Sequence, residues 1–293
     1  MLDVQQKPGN PARAVLLIDC PDRKGLVARV AGLLYEQGAN ILHADQHQDH
    51  ELGLFFMRVE WALDSAFDST ASFLQAFTPL AEELQMRWQL HRTSERPRVA
   101  LFCSQYLHCI ADLLHRSSSG ELDCEIAVIV SNHRDAEKLA AFHGIRFEYI
   151  PVTPATRTEA EAKQLALLQS LKIDLVVLAR YMQILSPDFL ARIRTPIINI
   201  HHSFLPAFAG ADPYSQARER GVKLIGATAH YVNEELDAGP IIEQDAARIT
   251  HRASAEGLAQ IGRDIERTVL ARAVQWHLED RVLVDGKGTV VFT

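Results

Sequence analysis

The sequence predicts an α/β protein of two domains, a βαββαβ sandwich followed by an open, mostly parallel sheet. Over residues 13–91 a strand-helix-strand pattern occurs twice, which is typical of two helices packed on one antiparallel sheet. Over residues 97–293 continuous apolar strands alternate with amphipathic helices, as in a parallel sheet covered on both faces. Residues 92–96 are polar, lack periodicity and precede Pro97, so we assign them to a linker.

The first domain is expected to fold as a ferredoxin-like sandwich. Its opening strand should end at Cys20-Pro21-Asp22, and Gly38 stands where glycine commonly follows a helix. Asp49-His50-Glu51 is a turn candidate, after which Leu52 and Leu54 alternate into the next strand. The elements, in order, are a strand at residues 14–19, a helix from residue 24, a strand at 41–48, a strand from 52, a helix around 73–84 and a strand around 86–90.

The second domain should place its binding site at one edge of its sheet, since ligands of open α/β sheets bind outside the carboxyl ends of the strands. The polar members of the strand at residues 197–200 mark this edge. Ser186 is predicted to cap a helix that begins at Pro187. The other elements are strands at 99–103, 126–130, 147–150 and 175–178, helices around 107–114 and 165–171 and one ending near 144, an extended pair at 223–232 and 240–249, and a helix at 255–278 that closes the domain.

Composition and charge exclude several classes of protein. The 293 residues are 47% hydrophobic and 23% charged, so the chain can bury a core and disorder is not expected. A net charge of −7, from 30 basic and 37 acidic residues, argues against nucleic acid as a partner. No apolar run of about 18 residues could span a membrane, and the polar N-terminus lacks a secretory signal. The four cysteines form no CxxC pair, so we expect reduced core residues in a cytoplasmic protein.

Asn199-Ile200-His201 is the strongest candidate for chemistry, because it leaves a buried strand at the predicted binding edge. Alternation along a strand sends Asn199 and His201 to the same side, as a site that activates a carbonyl requires. A polar loop whose side chains satisfy nearby backbone groups explains the same pattern. Asp237, in Asp237-Ala238-Gly239-Pro240, is likewise a common turn residue and gains weight only in combination with the other two.

A metal site is disfavoured by the spacing of the histidines. His201 and His202 are adjacent, and neighbouring side chains on an extended segment point to opposite sides. No cysteine is close to them in sequence, and neither HxxxH nor HExxH spacing occurs around them. We therefore expect no metal, with His202 and His230 packed or hydrogen-bonded as structural residues.

These segments resemble the folate-dependent formyltransferase fold family. The matching residues are Asn199-Ile200-His201, Ser203, Leu205-Pro206, Phe208, Gly210, His230, Val232 and Asp237-x-Gly239-x-Ile241. The first domain resembles an ACT domain, through Asp22-x-x-Gly25-Leu26-Val27-Ala28 and Gly38-Ala39-Asn40-Ile41. The fusion of the two, with Gly210-Ala211-x-Pro213-Tyr214 and Gly226-Ala227-Thr228-Ala229-His230, is similar to the formyltetrahydrofolate deformylases from about Ala14 to the C-terminus.

The resemblance implies hydrolysis of 10-formyltetrahydrofolate to formate and tetrahydrofolate, a reaction of one-carbon metabolism and purine biosynthesis. It implies that Asp237 activates the water while Asn199 and His201 stabilise the oxyanion, roles that suit a carboxylate, an amide and an imidazole. It implies no cofactor, since the folate is the substrate. The implied folate-binding residues are Met182, Gln183, Ile184, Leu185, His230, Val232 and Gly239.

Two other functions stay open at this point. The first is formyl transfer to an amine. The glycinamide ribonucleotide enzymes of the family hold the acceptor phosphate with a glycine-rich loop, whereas residues 102–109 here contain no glycine, which favours water as the nucleophile. The second is a non-catalytic sensor led by its ACT domain.

The ACT resemblance also implies partners for the first domain. It implies a homo-oligomer, a dimer or a tetramer, and an amino acid as candidate effector. Backbone N–H groups after the Asp22-x-x-Gly25 turn could receive the carboxylate of such an effector. The candidate effector-binding residues are Asp22, Gly25 and Asn40. Neither nucleic acid nor a membrane is expected as a partner.

Overall fold

The protein divides into two compact units. The computed structural model describes residues 12–63, 70–92, 96–206, 216, 219–251, 254–286 and 288–293. One unit comprises Met1–Glu95 with Phe292–Thr293, and the other comprises Arg96–Val291. Residues 93–95 of the predicted linker, and Phe208, Gly210, Ala211, Pro213 and Tyr214 of the family motifs, lie outside the described residues.

The first unit is a four-stranded antiparallel sheet with two helices, as the βαββαβ pattern predicts. The strand order is β2-β3-β1-β4, which leaves β2 and β4 at the edges. Its core joins side chains of β1 and β3 to those of both helices, with Trp61, Phe73 and Phe77 fully buried. The elements are β1 (Arg13–Pro21), α1 (Leu26–Glu36), β2 (Asn40–Asp49), β3 (Leu54–Ala62), α2 (Thr70–Glu83) and β4 (Arg87–Arg92).

Two boundaries in this unit differ from the sequence prediction. Strand β1 continues through Cys20 and Pro21 instead of ending there, because Cys20 pairs with Phe55 and is buried in the core. Leu52 does not open β3 but lies in the preceding turn, where it is 65% exposed. The Asp49 carboxylate accepts hydrogen bonds from the backbone of the next turn residues, including Leu52 at 2.9 Å, and this side-chain capping sets the strand start.

The second unit is built on a seven-stranded sheet of order β11-β10-β9-β8-β5-β6-β7. The strands from β9 to β7 are parallel, while β10 and β11 run antiparallel at one side. The elements are β5 (Arg98–Cys103), α3 (His108–Ser119), β6 (Glu125–Ser131), α4 (Glu137–Phe142), β7 (Phe147–Tyr149), α5 (Arg157–Ser170), β8 (Leu175–Leu178), α6 (Pro187–Arg192), β9 (Ile197–His201), β10 (Leu224–Tyr231), β11 (Ile241–Arg248), α7 (Ala255–Leu278), β12 (Val282–Asp285) and β13 (Gly288–Val291).

Helices cover both faces of this sheet, which explains why its parallel strands are apolar without interruption. One core includes Leu113 of α3 and Leu270 of α7, and the other includes Leu168 of α5 and Phe189 of α6. The mostly parallel α/β fold is thereby confirmed. Ser186 caps α6 as predicted, since its Oγ accepts a hydrogen bond from the Phe189 backbone N–H at 3.1 Å.

The unit does not end with α7, which corrects the expectation that this helix closes the domain. Strands β12 and β13 follow as an antiparallel hairpin in which Val282 pairs with Val291. Each strand is only four residues long, so the alternation of apolar and polar residues was too short to predict this hairpin. Gly286, with φ +58°, supplies the left-handed backbone of the turn.

The structure bears on two expectations from the composition, one about the cysteines and one about membrane-spanning segments. All four cysteines are buried and free of disulfides. Within the described ranges, no helix combines the length and apolar character needed to cross a membrane.

Candidate active site

The candidate site forms where β9 leaves the sheet between a parallel and an antiparallel neighbour. Strand β9 pairs with β8 on one side and with β10 on the other. Asn199 and His201 occupy alternate positions of β9, and His230 of β10 lies directly opposite Asn199 in the ladder. Directly opposed residues project to one face of the sheet, so the two strands present an amide and two imidazoles together.

Asp237 reaches this group from the connection between β10 and β11. Its Oδ2 lies 3.3 Å from Nδ1 of His201, and its Oδ1 lies 3.8 Å from Nε2 of His230. The Asp237 side chain is 18% exposed, compared with 7% for that of His201. The structure therefore brings together the three side chains that the sequence singled out, with the carboxylate on the solvent side.

The backbone around Asp237 is held in an unusual conformation. Asp237 itself has φ +54°, a left-handed value that aspartate tolerates better than most residues. A Cβ on Gly239 would lie 1.8 Å from the carbonyl oxygen of Tyr231, so only glycine fits there. The Tyr231 N–H donates to the Pro240 carbonyl at 2.9 Å. Gly239, predicted to bind folate, thus allows the loop that carries Asp237 to pack closely against β10.

His230 orients the amide of Asn199. Its Nδ1 lies 2.8 Å from the Tyr231 carbonyl oxygen, an acceptor, so Nδ1 carries the proton. Burial lowers the pKa of His230 and keeps the ring neutral, with Nε2 as an acceptor. Nδ2 of Asn199 therefore donates to Nε2 of His230 at 3.2 Å. The second N–H of the same amide remains available to a ligand.

The electrostatics of Asp237 and His201 are coupled. The neighbouring His201 imidazole lowers the pKa of the Asp237 carboxyl, against the opposite effect of its partial burial. Asp237 is therefore ionised at neutral pH. Nε2 of His201 is buried without a hydrogen-bond partner, a costly arrangement that a bound ligand would relieve. The ligand-binding groups of the site are thus the second amide N–H of Asn199, Nε2 of His201 and the Asp237 carboxylate.

The predicted folate loop, residues 182–185, follows β8 at the same edge. Ser104 Oγ accepts a hydrogen bond from the Met182 backbone N–H at 3.1 Å and fixes the start of the loop. Met182 and Ile184 are exposed, while Leu185 is buried in the core below. The loop offers an apolar, partly open surface next to the site, which suits a flat heterocycle.

Val232 directly follows β10 and lies opposite the start of β9. Its N–H donates to the carbonyl of Ile197, the first residue of β9, at 2.9 Å. His201 is the last residue of that strand, about 13 Å further along it. Val232 packs against the buried core that includes Phe189, and its partner Ile197 lies two residues before Asn199 on β9.

The candidate effector residues of the first unit are separated within one module. The Asp22 carboxylate accepts a hydrogen bond from Gln48, near the end of β2, and Gly25 has φ +91° at the start of α1. Asn40 begins β2. Asn40 and Gln48 are eight steps apart along the extended strand, about 26 Å. One chain therefore does not gather all three residues around a small molecule.

The arrangement of the histidines bears on the expectation that the site holds no metal. The rings of His201 and His202 lie 5.2 Å apart between centroids and are tilted by 53°. Among the described residues, the grouping of ligand atoms that is compact enough for an ion is His108, Cys109 and Glu266, which shares no member with the predicted trio. Sequence spacing did not reveal this second cluster, because its members come from distant parts of the chain.

Comparisons with known proteins agree with this architecture. A family model described as formyl transferase matches residues 97–274, and one described as ACT domain matches residues 14–60. A formyltetrahydrofolate deformylase of Synechocystis is 53% identical over 279 residues, covering 95% of this chain and 98% of the relative. The crystal structure of a formyltetrahydrofolate deformylase from Pseudomonas syringae superposes with a TM-score of 0.92 at 49% identity, over 97% of this chain and 96% of the other.

The likeness to transferases is more limited. Glycinamide ribonucleotide transformylase 1 from Symbiobacterium toebii is 28% identical and superposes with a TM-score of 0.65, covering 70% of this chain and 98% of its own. The deformylase relatives instead match both units. Together with the matches of the two family models, this full-length similarity shows that the chain belongs to the formyltetrahydrofolate deformylase family.

Proposed function

We propose that the protein hydrolyses 10-formyltetrahydrofolate to formate and tetrahydrofolate at the site of Asn199, His201 and Asp237. The observation that carries the proposal is the distance of 3.3 Å between Oδ2 of Asp237 and Nδ1 of His201, beside an amide with a free N–H. A carboxylate for the water and two donors for the formyl oxygen are what hydrolysis of a formamide needs.

The formyl oxygen is the group that gains negative charge when water adds to the carbon. Asn199 donates its second amide N–H to this oxygen, and protonated His201 donates through Nε2, which is buried without a partner in the free protein. Both donors are held in place before the substrate binds, Asn199 by His230 and His201 by Asp237. Preorganised donors of this kind stabilise a tetrahedral oxyanion without reorganisation.

Asp237 acts on the water. Its lowered pKa keeps the carboxylate charged, so it accepts a hydrogen bond from the water and orients the oxygen toward the formyl carbon. A carboxylate of low pKa is a weak base, so its stronger contributions are orientation of the water and stabilisation of protonated His201. The water proton leaves toward Asp237 as the carbon–oxygen bond forms, and N10 of the folate gains a proton when the carbon–nitrogen bond breaks.

The folate ring is proposed to lie on the loop of residues 182–185, where main-chain groups can read its edge. His230 and Gly239 serve the same site indirectly, through the Asn199 amide and the loop of Asp237. No step in this account uses a metal or a cofactor. We place the reaction in the cytoplasm, since the four buried cysteines are reduced.

The proposal is tested by supplying 10-formyltetrahydrofolate as the sole substrate in the presence of a strong chelator. We expect formate and tetrahydrofolate in equal amounts, at a rate unchanged by prior dialysis against the chelator. A requirement for an added amine would favour formyl transfer, and binding without turnover would favour a sensor. Recovery of lost activity on addition of zinc or iron would contradict the metal-free account.

The first unit is proposed to assemble the protein into a homo-oligomer and to bind an amino-acid effector. Asp22 and Asn40 lie at opposite ends of β2, so a small effector can contact both only between modules of two chains. Edge strand β2, ten residues long and largely exposed, is a surface on which two modules can pair. We expect sedimentation of the whole chain to show a dimer or a tetramer. A monomer whose rate does not respond to glycine or methionine would contradict both parts.

A further inference from the structure

A second cluster of charged side chains lies in the same unit and has no part in the proposed chemistry. It consists of Tyr106, His108, Arg180 and Glu266, here called the Arg180 cluster. Nε2 of His108 lies 2.8 Å from Oε2 of Glu266, and Nη1 of Arg180 lies 3.6 Å from the same oxygen. The guanidinium carbon of Arg180 lies 5.0 Å from the ring centroid of Tyr106. The cluster thus joins the segments that follow β5 and β8 to helix α7.

The Arg180 cluster is next to the candidate active site. Leu178, the last residue of β8, pairs with Asn199 of β9, and Arg180 follows Leu178 by two residues, as His201 follows Asn199. On the other side of β8, the Ser104 N–H donates to the Arg180 carbonyl at 3.2 Å. Ser104, Arg180 and His201 therefore form a row across the carboxyl ends of three neighbouring strands.

Two unfavourable features accompany the position of Arg180 at the end of β8. Its φ is +61°, a left-handed value at which glycine would cost least. The residue is only 8% exposed, and Nε and Nη1 of its guanidinium are buried without hydrogen-bond partners. Glu266, 1% exposed, compensates the charge but does not supply those hydrogen bonds to Nε and Nη1. Strain and incomplete pairing at one buried residue beside a reactive site indicate a functional constraint.

The position of the cluster indicates what that constraint is. An amine acceptor differs from water in carrying a substituent, which needs space beside the formyl carbon. Around His201, the loop of residues 182–185 is assigned to the folate, and the loop of Asp237 is packed against β10. On the side of β9 that faces β8, and next to it β5, these strands carry Arg180 and Tyr106 just beyond their carboxyl ends, and the Arg180 guanidinium packs against the Tyr106 ring.

We propose that the Arg180 cluster fills the space that an amine acceptor would occupy and thereby restricts the nucleophile to water. Arg180 is the filling side chain, Tyr106 covers its outer face, and Glu266 with His108 holds the charge in place. This inference rests on the proposed hydrolysis and adds the residues that select the nucleophile. Excluding a competitor by steric and charged groups is an established way of achieving specificity.

Hydrolysis and formyl transfer differ only in which atom forms the new bond to the formyl carbon. In hydrolysis the carbon–N10 bond breaks, a bond to the water oxygen forms, N10 gains one water proton and formic acid releases the other. In transfer the same bond breaks, a bond to the amine nitrogen forms, and an amine proton passes to N10. Both release tetrahydrofolate, so the ratio of formylated amine to formate reports the choice of nucleophile independently of the overall rate.

The test uses the Arg180→Gly variant, in which glycine adopts φ +61° without strain and the guanidinium is removed. Wild-type and variant proteins are incubated with 10-formyltetrahydrofolate and glycinamide at pH 8, and formylglycinamide and formate are quantified. We expect only formate from the wild type and a rise of at least about tenfold in the ratio of formylglycinamide to formate for the variant.

A matched control is available in the Arg134→Ala variant. The Arg134 guanidinium lies 4.4 Å from the Tyr149 ring centroid and donates to Glu137 at 3.1 Å, so it makes the same types of contact at an exposed position. This variant should keep the wild-type product ratio.

A second measurement detects the space left by the Arg180 side chain in the Arg180→Gly variant without relying on enzyme activity. Methylguanidinium at millimolar concentration should raise the thermal unfolding temperature of Arg180→Gly, because it can take the place beside Glu266 and Tyr106, and should leave wild type and Arg134→Ala unchanged. Rebinding in that place should also lower formylglycinamide formation again.

The outcomes separate the two proposals. Hydrolysis by the wild type with an unchanged product ratio in a folded Arg180→Gly variant overturns the exclusion role alone. Release of neither formate nor tetrahydrofolate by the wild type overturns the proposed function, and the exclusion role with it.

Discussion

Replacing Asp237 by Asn is expected to lower the rate of formate release by about three orders of magnitude, because the carboxylate that orients the water and stabilises protonated His201 is lost. Asparagine has the same size and tolerates φ +54°, so the loop should keep its conformation. Folate binding should persist, since the loop of residues 182–185 is untouched. Formate release and equilibrium binding of 10-formyltetrahydrofolate measure the two effects separately.

Asp280→Asn is the matched control for this change. Asp280 also has a left-handed backbone, with φ +51°, and lies just after the end of α7, outside the candidate site. It should leave both the rate and the binding unchanged. Near wild-type formate release from Asp237→Asn would remove Asp237 from the mechanism, whatever its distance to His201.

Replacing Gly239 by Ala is expected to reduce activity by about a hundredfold, although no reacting group is altered. The new Cβ would lie 1.8 Å from the carbonyl oxygen of Tyr231, so the loop must move away from β10 and carry Asp237 with it. The added crowding should also lower the free energy of unfolding by about 1–3 kcal/mol. Steady-state rates and urea unfolding of the same preparation test the two effects.

Gly257 provides the control for a glycine that has room. The nearest atom to a Cβ there is Ser254 Oγ at 3.4 Å, and the residue lies in the first turn of α7. Gly257→Ala should keep full activity and unfold no more easily than the wild type. If Gly239→Ala proved equally harmless, the loop of Asp237 would not depend on its close contact with β10.

Local patterns in the sequence were sufficient for most elements of the fold. Helix α7 spans the predicted residues Ala255–Leu278, and β8 spans the predicted Leu175–Leu178. Both have long or uninterrupted apolar patterns, and such patterns arise from burial against the rest of the fold. The prediction failed where the signal was short, as for the hairpin of β12 and β13, or where a side-chain contact set the boundary, as for Leu52 and Asp49.

The sequence by itself determined the two-domain α/β architecture and identified Asn199, His201 and Asp237 as candidate catalytic residues. Both follow from residue type and spacing, which are local properties. Only the tertiary structure decided which distant side chains meet. The contact of Asp237 with His201 and that of Arg180 with Glu266 depend on strand order and on how α7 packs over the sheet. Strand order reflects the free energy of packing the whole unit, so no single segment encodes which groups become neighbours.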